Sequence, residues 1–222
     1  MLPKFKNQQL LKTALSHRSS LNEPTVKSGK QSYERLEYLG DAVLELATSE
    51  WLFHTHPSEP EGILTAYRSA LVKTSTLAET AQALKLGEKM YMSRGEEATG
   101  GRQNDSLLAD VFEAVIGALY LDQGYPAVKT FLEKTLFPKF AKIKQEKLYQ
   151  DHKSLYQETV QAKGLPTPSY EVTKEEGPDH EKTFTINVLV NNEVTGTGTG
   201  KSKQQAQQAA ARSALEKLGG ER

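Results

Sequence analysis

The chain has 222 residues, 37% of them hydrophobic, with 28 basic and 28 acidic side chains and no cysteine. That length suits one large or two small domains with packed cores, and the lack of cysteine excludes disulfides and thiolate metal sites, which is compatible with a reducing cytoplasm. The charge balance gives no general attraction to nucleic acid, since residues 1–149 carry 19 basic and 18 acidic side chains and residues 150–222 carry 9 and 10; binding RNA or DNA would need cations gathered on one surface.

Residues 7–16 read as a short amphipathic helix leading into His17 and Arg18, cations suited to a helix C-terminus, although phosphate contact is the other reading. Met1 to Lys6 shows no apolar segment of a secretory signal. Residues 19–32 are polar and contain Pro24 and Gly29, which predicts a loop.

From Glu34 to about His54 the pattern is helical. Leu36, Leu39, Val43, Leu46 and Ala47 form a core-facing stripe, while Glu34, Glu37, Asp41 and Glu45 crowd into a sector of roughly 80°. Carboxylates at this spacing repel, so the row lowers helix stability unless a cation or a basic partner lies against it. Glu45 suits a structural pair with Arg35 or a lysine; Glu34 fits either a pair or the acidic site. His54 and His56, with Pro57 and Pro60 nearby, read as a solvated turn, because the spacing matches no zinc pattern.

Ile63 to Val72, Thr76 to Leu84 and a segment near Met90 read as further helices, and Arg94 to Gln103 as a Gly-rich loop. Arg68, Arg94 and Arg102 could meet phosphates, but each suits a surface cation better. Asn104 to Tyr120 is apolar almost all round and therefore a buried helix, with Asp105 or Ser106 as its N-cap. Asp110 and Glu113 interrupt it, on one face with Ala114 and Gly117, small enough for another helix to approach. Two buried carboxylates require partners or a metal. If this helix packs on the first, Glu37, Asp41, Asp110 and Glu113 converge as an all-oxygen set suited to a hard divalent cation such as Mg²⁺. The run Leu107 to Leu121 is too short to span a bilayer, so no membrane association is expected.

Residues Ala127 to Lys147 form another expected helix, and Lys144 to Asp151, poor in apolar residues, a flexible linker. His152 to Lys163 reads as a helix, Ser169 to Lys174 as a strand, Phe184 to Val190 as an alternating second strand and Glu193 to Thr199 as a third. Ser202 and Gln205 open an alanine-rich last helix as a capping box.

The run from Glu34 to Leu46 resembles the signature segment of ribonuclease III, and Asn104 to Gly117 that family's second acidic segment. The α-β-β-β-α order after residue 151 resembles the double-stranded RNA-binding domain of its bacterial members. The resemblance implies an all-α nuclease domain plus a small α+β domain: residues 1–146, a linker at 147–151, and residues 152–222. It places Glu37, Asp41, Asp110 and Glu113 in a Mg²⁺-holding catalytic centre, with Asp41 and Glu113 as catalytic residues, Mn²⁺ as a substitute ion and Glu113 the residue on which metal binding most depends.

It also implies a homodimer in which each protomer cuts one strand of duplex RNA, leaving 5′-phosphates, 3′-hydroxyls and short 3′ overhangs. Tyr38 stands where the family has an aromatic residue packing into the partner; packing within its own monomer is the other reading. Glu61 matches an RNA-contacting position near the catalytic valley. Ser154, Gln157, Glu158 and Gln161 match positions facing the minor groove, His180 lies in the loop entering the next one, and Lys201 and Lys203 combine charge with a helix N-terminus as a phosphate site. Gln204 and Gln205 replace a commonly charged pair, and Asp179 and Glu181 flank His180, so weaker or more salt-sensitive RNA binding is expected.

The expected function is a cytoplasmic endoribonuclease maturing ribosomal RNA precursors and some messenger and transfer RNAs. Two other readings use the same residues: a catalytically silent duplex-RNA binder, disfavoured because all four carboxylates are present, and a small-molecule phosphohydrolase with an unrelated C-terminal appendage, disfavoured by the duplex-reader tail.

Overall fold

The computed structural model describes residues 2–23, 26, 31–178 and 182–219. The chain divides into two compact units, residues 1–149 and 150–222.

The first unit is helical: α1 (Gln8–Ala14), α2 (Glu34–Thr55), α3 (Glu61–Val72), α4 (Thr74–Ala83), α5 (Leu86–Lys89), α6 (Arg94–Ala98), α7 (Asp105–Gln123), α8 (Tyr125–Thr135) and α9 (Phe140–Gln145). Its centre is α7, whose residues Leu108, Val111, Phe112 and Ala114 to Leu119 are buried. Helices α1, α2, α4 and α8 pack round it. The Asn104 side chain caps α7 by accepting from Ser106 and Leu107 backbone N–H groups, so the cap lies one residue before the expected Asp105 or Ser106.

Helix α2 crosses α7 at a pair of glycines. A Cβ on Gly40 would overlap the Glu113 carbonyl oxygen, and one on Gly117 would overlap the Leu36 carbonyl oxygen, so the two backbones are in direct contact. The buried side of α2 is Leu36, Val43, Leu44, Ala47 and Leu52. Leu46, expected in the core stripe, is instead 59% exposed, as are Tyr38 at 83% and Phe53 at 66%; packing so close to α7 narrows the core face and leaves the flank outside.

Three further expectations change. Arg94 to Gln103 is not a plain loop: α6 is capped by Ser93, and a 3-10 turn follows at Gly101–Gln103. The expected helix from Ala127 to Lys147 breaks at a 3-10 turn, Phe137–Lys139, where Pro138 lacks an N–H to continue the ladder. His56 is no solvated turn residue, because its ring packs edge-on against Trp51, Tyr67 and Phe140. Tyr149 adds its ring to Tyr67 with centroids 4.6 Å apart, which keeps the end of this unit folded back.

The second unit is α10 (His152–Ala162), β1 (Ser169–Glu176), β2 (Thr183–Val190), β3 (Glu193–Gly200) and α11 (Lys203–Gly219). The strands form one antiparallel sheet in the order β1-β2-β3. Asn191 and Asn192 both adopt positive φ, 52° and 64°, the left-handed pair that a two-residue hairpin requires. Tyr156 and Val160 of α10, Ile186, Val188 and Val190 of β2, and Ala206, Ala210, Ala211 and Ala214 of α11 form the core. Gly196 and Gly198 leave no room for a Cβ beneath α11, so an alanine-faced helix lies directly on glycine-rich β3.

Replacing Gly40 with Ala should destabilise the first unit by about 3 kcal/mol, at the upper end for overpacking, because the carbonyl it meets belongs to a buried helix. Chemical denaturation checks this; a change below about 0.5 kcal/mol would mean the helices separate freely.

Candidate active site

The glycine contact decides where the carboxylates lie. With Gly40 against Glu113 and Gly117 against Leu36, the acidic row of α2 runs beside Asp110 and Glu113 of α7. Glu113 is half-buried, and its carboxyl is pushed up to about 8, first by burial and then by the negative charges of Asp41, Asp110, Glu37 and Glu45. Glu37 is also raised, by burial and by Asp110, Glu34 and Asp41. Asp110 is raised by burial, with His17 and a hydrogen bond from Tyr33 opposing the shift.

The four carboxylates predicted from sequence therefore share one electrostatic neighbourhood. They do not form a ready-made coordination shell: among the described residues, no three Asp, Glu or His side chains are grouped so as to hold a metal ion. The donor chemistry nevertheless fits Mg²⁺. Every donor is a carboxylate oxygen, Asp41 is exposed, Glu37 and Asp110 are half-exposed and can rotate, and Glu113 sits in a setting where its ionised form is disfavoured without a counter-charge.

The outer members of the α2 row are paired. Arg68 of α3 reaches Glu45 at 2.9 Å and donates to Ser49 Oγ at 2.9 Å, so the partner of Glu45 is Arg68 rather than Arg35 or a lysine. Glu34 lies 3.8 Å from Arg18 and accepts from Ser32. Arg102 is likewise structural, donating to Glu97 and to the Gly87 and Met90 carbonyls.

Sequence reasoning missed Tyr33 and misplaced His17. His17 is buried and begins a 3-10 turn, Arg18–Asn22, with Nδ1 accepting from the Ser19 backbone N–H, so it does not terminate α1. The signal available for Tyr33 was its place directly before the acidic helix; the fold that returns both residues to Asp110 was not visible.

Glu61 opens α3 and is exposed. Tyr38 and Leu121 border a groove of about 740 Å³ also lined by Leu10, Thr13, Leu36 and Leu39. In the second unit Ser154, Gln157, Glu158 and Gln161 lie exposed along one face of α10. Lys201 and Lys203 are exposed at the start of α11, whereas His180 lies outside the described residues.

The family description "Ribonuclease-III-like" matches residues 7–140, and "Double-stranded RNA binding motif" matches residues 152–218. Among relatives, the Ribonuclease 3 of Geobacillus kaustophilus is 48% identical over 214 residues, 96% of this chain and 86% of that protein. That of Halalkalibacterium halodurans is 46% identical over 211 residues, 95% of this chain and 80% of its own. Among solved structures, the nuclease domain of ribonuclease III from Campylobacter jejuni, described for structural flexibility in a region involved in dimer formation, is 39% identical with a TM-score of 0.57, covering 62% of this chain and 92% of its own. Dicer from Pichia stipitis is 28% identical with a TM-score of 0.50, covering 97% and 96%.

The raised Glu113 sets a pH dependence. Glu113 binds its proton more tightly in the native than in the unfolded chain, where the ordinary value of 4.5 applies, so stability falls as pH rises from about 4.5 to about 8. In EDTA, Glu113→Gln should flatten that fall and at pH 8.5 exceed the parent by on the order of 1–2 kcal/mol, allowing for solvent screening of the half-exposed site. Denaturation at pH 5 and 8.5 checks it; parallel slopes in both proteins would refute the assignment.

Proposed function

The chain belongs to the ribonuclease III family, and from that premise we propose that it hydrolyses phosphodiester bonds of double-stranded RNA with Mg²⁺, leaving 5′-phosphate and 3′-hydroxyl ends with short 3′ overhangs. The observation that carries the reading is the glycine-sealed crossing of α2 and α7, which sets Glu37, Asp41, Asp110 and Glu113 together in a chain that also bears a double-stranded RNA-binding motif.

In this mechanism Glu37, Asp41, Asp110 and Glu113 would hold Mg²⁺, directly or through water, with Mn²⁺ able to substitute. Held by these carboxylates, the ion would supply an activated water, neutralisation of charge developing on the phosphate and stabilisation of the departing 3′ oxygen. The protein's part is placement. Half-buried Glu113, its carboxyl pushed up to about 8, favours the protonated form in the ion-free protein and would give up that proton on holding the ion, which would link metal affinity to pH. Asp41 supplies an exposed oxygen. Arg68 pairs with Glu45 at 2.9 Å, which engages that fifth carboxylate apart from the four that would hold the ion.

In the second unit, Ser154, Gln157, Glu158 and Gln161 on α10 read one minor groove by shape and 2′-hydroxyls, His180 reaches the next, and Lys201 and Lys203 meet the phosphates between. Glu61 contacts RNA beside the catalytic valley. Two nuclease units pair, each cutting one strand. Support for pairing comes from Tyr38, 83% exposed and therefore not packed in its own monomer, and from the exposed Leu46 and Phe53 on the same helix. A twofold interface presents the same patch from both copies, so each Tyr38 has a groove opposite it. Among the described residues no helix is long and apolar enough to cross a membrane. The family resemblance, rather than any feature of the fold, is what suggests a cytoplasmic role in maturing ribosomal RNA precursors and some messenger and transfer RNAs.

Cleavage of a labelled perfect RNA duplex with Mg²⁺ tests the reading. The parent should give defined duplex products, and Glu113→Gln should lose more than about 100-fold, since even residues one layer outside a metal site commonly cost 10- to 100-fold. Mg²⁺ should raise the melting temperature of the parent and not of the variant. Duplex binding without cleavage under Mg²⁺ or Mn²⁺ would reduce the protein to a silent binder.

Tyr38→Arg should yield monomers by sedimentation, because a charge would be desolvated at the centre of the interface. A dimer of unchanged affinity would place the interface elsewhere.

A further inference from the structure

Lys201 and Lys203 sit side by side at the start of α11, yet their surroundings differ. Lys201 donates through Nζ to the neutral Thr183 hydroxyl at 3.3 Å, and its backbone N–H donates to Gln205 Oε1 at 3.0 Å. Lys203 instead reaches across the sheet end to a carboxylate: its Nζ lies 3.3 Å from Glu175 Oε1 and 5.6 Å from the centre of the Phe184 ring. The other oxygen of Glu175 lies 3.8 Å from Lys182 Nζ.

Strand register explains why this contact forms. Glu175 is directly opposite Phe184, and Phe184 is directly opposite Gly200, so the three make one row across β1, β2 and β3. A Cβ on Gly200 would lie 2.6 Å from the Ala206 nitrogen, which shows how closely the strand end is pressed to the first turn of α11. The lysine stem therefore crosses the Phe184 ring, and its ammonium arrives over β1. The irregularity between Val172 and Lys174 shifts the alternation of β1, which brings Glu175 to the helix side and turns Glu176 to the other face, where it pairs with Lys174 at 2.8 Å.

Resting on the reading of this unit as a duplex-RNA binder, we propose that Glu175 is an internal competitor for the RNA backbone, an affinity-setting residue whose carboxylate holds Lys203 and Lys182 in the place a phosphate would take. A carboxylate and a phosphate oxygen offer an ammonium the same charge-assisted hydrogen bond. RNA gains Lys203 only by displacing Glu175, and the displaced carboxylate then stands beside the incoming phosphate as a like charge. The pair is partly exposed, so the competition is modest in size, and salt weakens it. Glu175 would thus add to the weaker or more salt-sensitive duplex binding expected from Gln204 and Gln205.

The test is duplex-RNA affinity of the full chain, carrying Glu113→Gln to prevent cutting, measured with and without Glu175→Gln at about 50 mM and about 300 mM salt. Removing the competitor should tighten binding about two- to fivefold at the lower salt, the range that an exposed ion pair can supply, and less at the higher. Glu176→Gln removes the same charge from the opposite face and should change affinity by less than half as much. In a Lys203→Ala background most of the Glu175→Gln gain should vanish. Equal or weaker binding by Glu175→Gln, an equal gain from Glu176→Gln, or an undiminished gain without Lys203 would each overturn the competitor while leaving duplex binding in place. If the parent itself fails to bind duplex RNA at any salt, the duplex-reader assignment falls and the competitor with it.

Discussion

Two glycines, 77 positions apart in the chain, hold the nuclease unit's chemistry in place. Helices of ordinary composition pack with axes 8–10 Å apart, kept there by side chains. Gly40 and Gly117 remove those side chains at the crossing, so that the backbone of each helix meets the other directly. The consequence reaches the site through geometry. Glu113 is the residue whose carbonyl lies under Gly40, and Leu36, beside Glu37, is the residue whose carbonyl lies under Gly117. Backbone contact at those two points fixes the origin of carboxylates on both helices, and further separation would disperse them.

Such closeness concentrates negative charge. The fold lowers the cost at the edges and leaves it at the centre. Arg18 and Arg68 stand at Glu34 and Glu45, the two ends of the α2 row, while Glu37 and Asp41 in the middle face Asp110 and Glu113. Burial then adds to repulsion at Glu113, which is why its carboxyl is the most strongly raised of the set. Glu37, Asp110 and Glu113 are all raised where α2 meets α7, a cost that supports the proposed cation site, since a purely structural crossing would be more stable with apolar or paired residues there.

Much of this was legible in the sequence because the acidic residues lie on two long helices whose periodicity is plain. The order α-β-β-β-α was legible for the same reason, through alternation in Phe184 to Val190 and the alanine face of the last helix. Breaks and flanks were less so. Pro138 splits an apparently continuous helix, and Leu46 matches the core period but faces outward, because the width of a core face depends on how near the neighbouring helix comes. His17, Tyr33 and Arg68 join the site only through tertiary contacts, which local pattern does not encode. His56 was read from its neighbouring prolines as solvent-facing, yet the aromatic residues that pack against it, Trp51, Tyr67 and Phe140, come from three separate helices.

The zero net charge reflects equal counts of basic and acidic residues, and pairing further limits what the cationic surface projects. Lysines and arginines of both units stand opposite carboxylates: Lys129 at Glu50, Lys139 at Glu79, Lys144 at Glu59, Arg212 at Glu216. Pairs of this kind contribute little stability individually, but each lowers the field a cation projects toward a distant phosphate. For Lys144 or Arg212 that matters little to RNA. For Lys203 it matters because the same ammonium stands at the predicted phosphate site, and its carboxylate partner comes from β1, a strand that the resemblance gives no part in RNA contact. A sum over the domain treats those cases alike. Affinity for a polyanion depends instead on which cations can exchange a carboxylate for a phosphate, and on what becomes of the carboxylate when they do.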